Sequence, residues 1–211
     1  MIISLLAAFA LQTGRVLGDD WSIERVSQIS CDAKTLVRTL RTRYTVVGQD
    51  TSALLIRCSV TKSEDKGDAD LKPVGVGESA PTSLKFGAGG APEYEEDLSD
   101  PIAARVDRMQ WTAAESRKGV AWIRKFPASS ALPAGKVTVK PAGMDGPNQL
   151  VTITYSEEST GVAADGTATV YLPKRIVGPM KISLSRIPLA KIKKVGNVTV
   201  EQTLLPPAKN G

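Results

Sequence analysis

Apolar and polar residues alternate through most of the second half of the chain. Residues 136–140 (KVTVK), 150–155 (LVTITY) and 167–172 (TATVYL) follow this rhythm strictly, and 180–187 and 195–204 continue it. A period of two places successive side chains on opposite faces of a strand, so each segment predicts a strand buried on one face. Residues 120–126 (VAWIRKF) predict a further strand before them. GMDGP at 143–147 and ADG at 164–166 read as turns between strands. Short strands at such regular spacing predict a sandwich or a barrel.

The first half follows a different pattern. In residues 31–43 (CDAKTLVRTLRTR), Ala33, Leu36, Val37 and Leu40 recur at i, i+3, i+4 and i+7. That spacing predicts a helix, with Lys34, Arg38, Arg41 and Arg43 mostly off its apolar face. Residues 44–47 and 53–60 predict a hairpin across the turn-rich 48–52. Trp21, Ile23, Val26 and Ile29 fit neither period. Asp100-Pro101 opens a second helix, since Asp caps well and proline is tolerated at the first helical position. Ile102, Val106, Met109 and Ala113 form its stripe, Arg105, Asp107, Arg108 and Glu115 lie mostly elsewhere, and Gly119 is the natural stop.

The expected fold class is therefore α+β, mostly β. A C-terminal antiparallel β-sandwich or barrel follows one helix, and a small N-terminal helix-plus-hairpin unit precedes both. The expected divisions are an apolar segment 1–18, a small α/β unit 19–62, a linker 63–99, and a helix plus β-rich domain 100–211. The linker is charged at first, then rich in Gly and Pro, with at most one short strand near 84–86.

Residues 2–11 (IISLLAAFAL) have the length of a signal-peptide core and are too short to span a bilayer. Val16 and Gly18 offer a small-residue cleavage spacing before Asp19, but no Lys or Arg precedes the run. Cleaved signal and retained helix or strand both stay open. No other stretch is long and apolar enough for a transmembrane span. The two cysteines, Cys31 and Cys58, suit one disulfide in an exported protein or two buried thiols acting as small hydrophobes.

Composition narrows the chemistry. The chain contains no histidine, which closes Ser-His-Asp and Cys-His nucleophile pairs and imidazole metal sites. Carboxylate and lysine chemistry remain open, but no G-x-S-x-G occurs. EDKGDAD at 64–70 fails the spacing of a calcium loop, and the glycines at 75–77 and 87–90 lack the context of a phosphate loop. Glu157 and Glu158 are adjacent, so as strand residues they would face opposite ways. Trp111 and Trp122 read as core packing. Nothing points to a cofactor or a metal.

Net charge is +5. Lys174, Arg175, Lys181, Arg186, Lys191, Lys193 and Lys194 lie in a window without an acidic residue, and Glu93, Glu95, Glu96 and Asp97 form an acidic patch. The basic window is either a face for an anionic partner or a solvated sheet surface. Its spread and its lack of interleaved aromatics make nucleic acid the weaker expectation. The patches could also join copies of the chain. The role expected is a non-catalytic structural or protein-binding subunit of a larger assembly, either exported and envelope-associated or part of a virus or phage particle. Two alternatives are an enzyme using carboxylate or lysine, and a weak binder of anionic surfaces through 174–194.

Overall fold

The computed structural model describes residues 17–49, 53–72, 82–87, 92–94, 101–128, 132–189 and 191–206. In chain order they form β1 (Asp20–Cys31), β2 (Lys34–Gln49), β3 (Ala53–Gly67), a single 3-10 turn (Ala69–Leu71), β4 (Thr82–Gly87) and β5 (Pro92–Tyr94). Helix α1 (Pro101–Ala114) follows, then β6 (Trp122–Phe126), β7 (Gly135–Asp145), β8 (Asn148–Glu157), β9 (Ala163–Tyr171), β10 (Ile176–Leu189) and β11 (Lys194–Leu205).

The strands make one antiparallel sheet of eleven in the order β5-β4-β3-β2-β1-β11-β10-β9-β8-β7-β6. The sheet is mostly meander, joined where β1 meets β11 with Val26 opposite Glu201. Among the described residues β5 and β6 end the order without pairing to each other, so the sheet is open. Its inner face curls around α1. The helix meets β1 through Arg25, β2 through the edge-to-face contact of Trp111 on Tyr44 (5.6 Å), and β6 through the Trp122 indole, which donates to the Thr112 carbonyl at 3.2 Å.

The expected N-terminal helix is a strand. After Cys31 the chain turns through Asp32, whose φ of 53° is the left-handed value a two-residue hairpin needs. Cys31 then pairs with Lys34, and β2 runs back along β1. Leu36, Arg38, Tyr44 and Val46 are the buried members of the alternating inward row. Arg38 at an inward position breaks the apolar alternation, and outward Val37 beside Leu36 imitates helical spacing. The predicted hairpin of 44–60 is present as β2 and β3. It belongs to the common sheet, however, and the buried apolar residues of both halves form one cluster from Trp21 to Val200. The N-terminal stretch is therefore no separate helix-plus-hairpin unit. Residues 63–67 complete β3 and are not linker, and a strand covers the predicted 84–86.

The strand predictions from 120 onward hold with small shifts of boundary, and α1 starts at Pro101 as predicted. The 164–166 segment is not a turn but the interior of β9. Gly166 is required there because a Cβ would lie 2.1 Å from the Lys181 carbonyl oxygen and 2.6 Å from Ile182 on β10. Helix α1 ends at Ala114, earlier than Gly119. Gly119 instead turns the following loop at φ 70° and donates its N–H to the Gln149 side chain at 2.9 Å.

Candidate functional site

A helix lying on one sheet face normally leaves a polar side in water. Here the sheet wraps α1, and Arg105, Arg108, Gln110 and Thr112 are buried alongside Ile102, Val106, Met109 and Trp111. Burying those polar groups is costly unless each finds a partner. Inward-facing polar residues of the strands supply the partners.

On one side Arg25 of β1 reaches α1. Its guanidinium lies 2.8 Å from Asp107 and 2.6 Å from the Gln110 oxygen, and it also bonds Gln202 of β11 at 3.2 Å. Tyr44 bonds the same Gln110, and its hydroxyl is pushed well above the ordinary phenol range by burial first and then by the Asp107 charge. Cys58, facing Tyr44 across the β2–β3 ladder, is raised for the same two reasons, burial leading. A thiol held protonated in this way is a poor nucleophile.

On the other side Arg105 forks onto Glu157 at the end of β8, at 2.7 and 3.1 Å. Their side chains are 5% and 0% exposed. Tyr155 donates to Glu157 at 2.8 Å, and Thr160 bonds it as well. Burial works against ionisation of Glu157, but the bonds from Arg105, Thr160 and Tyr155 together outweigh it and hold its pKa below the usual carboxylate value. Burial, then the bond to Glu157, raises Tyr155 to about 12. Arg108 stands over the Phe126 ring at 5.0 Å and donates to the Pro133 carbonyl at 2.9 Å, which ties down the β6–β7 connection. A third arginine, Arg38, forks onto Asp65 of β3 at 2.8 and 3.1 Å, and Lys72 joins at 3.0 Å. These bonds, Arg38 leading, lower Asp65 to about 2.

The chemical capacity of this interior is narrow. Glu157 and Asp65 are held in their charged forms, and Tyr44, Tyr155 and Cys58 in their neutral forms. The titration of Tyr44 and Tyr155 tests this directly. Both neutral forms are favoured by the fold, so their stabilisation is complete below pH 10. For Tyr155 it is lost as pH rises through about 12. Ultraviolet difference spectra should show these two of the four tyrosines ionising only with alkaline unfolding. Reversible titration of all four near pH 10 would contradict the interior described.

The residues singled out from sequence are not brought together. Lys174 pairs with Asp19 at 3.0 Å, Lys181 with Glu201 at 2.8 Å, and Lys194 with Asp32 at 2.7 Å. Arg175 occupies the β9–β10 turn with φ 51°, and Arg186 a bulge with φ 61°. Lys191 donates to the Ala69 carbonyl at 3.4 Å, and Lys193 lies in the β10–β11 turn with φ 52°. The two turns sit at opposite ends of fourteen-residue β10, about 45 Å apart at strand rise. The seven residues of the expected basic face are thus spread along β10 and its two turns, and three of them are paired with carboxylates. Cys31 and Cys58 are free thiols. Cys31 pairs beside Lys34 and Cys58 opposite Tyr44, ten residues further along β2, about 33 Å away. No disulfide can close that distance. Glu93 lies in β5 at the register position opposite Lys85. Glu95, Glu96 and Asp97 lie outside the described residues, as does the apolar run 2–11.

Sequence reasoning missed Arg25, Asp107, Gln110, Gln202, Arg105 and Glu157. The available signal was phase: Arg25 falls in register with Trp21, Ile23 and Ile29, and Gln202 with Val198 and Val200. Trp111 is core, as expected, at 1% exposure.

Fold and site together define a single open antiparallel sheet closed around a helix that is pinned by buried ion pairs. No family model matches the chain, and no curated protein matches it. Among solved structures, a DUF1329 family protein from Desulfovibrio piger aligns over 100% of this chain and 95% of its own, at 9% identity and a TM-score of 0.30. A likeness at that level decides neither fold nor function.

Proposed function

We propose that this chain is a non-catalytic protein-binding or structural subunit, working through the rim and outer face of its sheet. The observation that supports this reading is the engagement of the interior charges with one another. Arg25 with Asp107, Arg105 with Glu157 and Arg38 with Asp65 each serve to seat α1 or β3. Catalytic groups usually carry pKa values poised near the working pH. Glu157 and Asp65 are instead held below the usual carboxylate range.

The two settings, an exported envelope protein or a particle component, separate on the intact mass of the native protein. A mature chain beginning near Asp19 fits export, and one beginning at Met1 fits the particle. Light scattering of the purified native protein at low and high salt tests the role itself. The expected result is an oligomer or a complex of defined mass. A strict monomer at both salts, with no partner co-purifying from the native source, would defeat the reading.

A further inference from the structure

Strand β6 ends the sheet, and among the described residues only β7 pairs with it. Its inward side chains are committed: Trp122 to the Thr112 carbonyl, Arg124 to Glu115 at 2.5 Å, and Phe126 beneath Arg108. Ile123 and Lys125 therefore face outward, and Ile123 is 58% exposed. Directly opposite Lys125 on β7 stands Lys136, and Lys140 continues that outward row. On β8 their neighbours are Ser156 and Thr152, neither of them acidic. No ion pair involves Lys125, Lys136 or Lys140 among the described residues, whereas Lys174, Lys181 and Lys194 each have a carboxylate. Like charges directly opposite on a ladder work against the pairing, so this arrangement gives the isolated fold nothing.

Building on the partner-binding reading, we propose that the free edge of β6 docks an extended, acidic polypeptide segment of a partner protein, which joins the sheet as a further strand. An open edge offers unpaired N–H and C=O groups to such a segment, and flanking side chains give the selectivity. The lysines repel a second basic edge and admit an acidic one. Carboxylates at alternate positions would lie in the outward row with Lys125 and Lys136, and an apolar residue would cover Ile123. Nucleic acid fits less well, because the aromatic rings of β6 are turned inward and unavailable for stacking.

The probe is a fluorescein-labelled acetyl-Val-Ile-Val-Glu-Val-Glu amide, with a Lys-for-Glu counterpart as control. The acidic peptide is expected to bind saturably, to slow hydrogen exchange at 122–126, and to weaken as salt rises. The double variant Lys125→Glu with Lys136→Glu should weaken it about tenfold or more. These side chains are exposed, and an unchanged thermal melt confirms folding. Equal binding by the variant, no saturation at millimolar peptide, or preferential binding of a single-stranded oligothymidylate at these lysines would each overturn the proposal. The double variant also separates the two readings. A native complex that survives it, with peptide binding absent, removes the β6 edge and leaves the subunit role. A native protein that never associates removes the role itself.

Discussion

Glu157→Ala is expected to lower the unfolding free energy by about 3–5 kcal/mol, the usual cost of removing one partner from a buried ion pair. The substitution strands the Arg105 guanidinium, itself 5% exposed, and removes the acceptor of Tyr155 and Thr160. Urea unfolding gives the number from the midpoint at constant slope. A loss under about 1 kcal/mol would mean that α1 is not held by this pair. Replacing both partners, Arg105→Met with Glu157→Leu, should recover much of the loss, because no charge is then left buried alone. The carboxylate also shapes the acid limb of stability. Its pKa is depressed in the fold, so its contribution is present above its unfolded value of 4.5 and fades as pH falls below it. Asp65 behaves likewise, contributing fully above 3.8 and losing that contribution as pH falls through about 2.

Trp111→Ala carries the second large effect, about 3–5 kcal/mol for emptying a fully buried aromatic site. Trp111 is 1% exposed and stands edge-on to Tyr44, which stacks in turn on Trp21 at 5.3 Å. The indole thus links the helix to β1 and β2 at the end of the molecule away from Glu157. Trp111→Phe should cost markedly less, since a ring still fills most of the space. Equal losses from the two substitutions, read from thermal melts, would contradict the packing described.

Strand content after residue 120 and helix α1 were legible because their patterns are local. Val137 and Val139, or Val151, Ile153 and Tyr155, announce a buried face within a few residues. The N-terminal half was not legible, because its partners are distant in sequence. Arg38 looks like a solvated helix position until Asp65 of β3 arrives across the ladder to satisfy it. Arg25 looks like a surface charge until α1 brings Asp107 and Gln110 against it. Both residues violate the apolar alternation at inward sites, and the violations mark where the sheet meets other polar groups. Gly166 misled for a related reason: an apparent turn residue is a contact residue, needed only once β10 lies beside β9. The candidate binding edge was hidden too, since nothing in 122–126 says that this strand is the last.

The central claim is that α1 is a fixed part of the core, so that binding falls to the rim of the sheet. Native-state hydrogen exchange measures this most directly. Amides of α1 beyond its first turn are expected to exchange only through global unfolding, with the same free energy as the central strands β1 and β11. Exchange of α1 through a local opening far below that value would contradict the account, because the interior would then be open to a ligand.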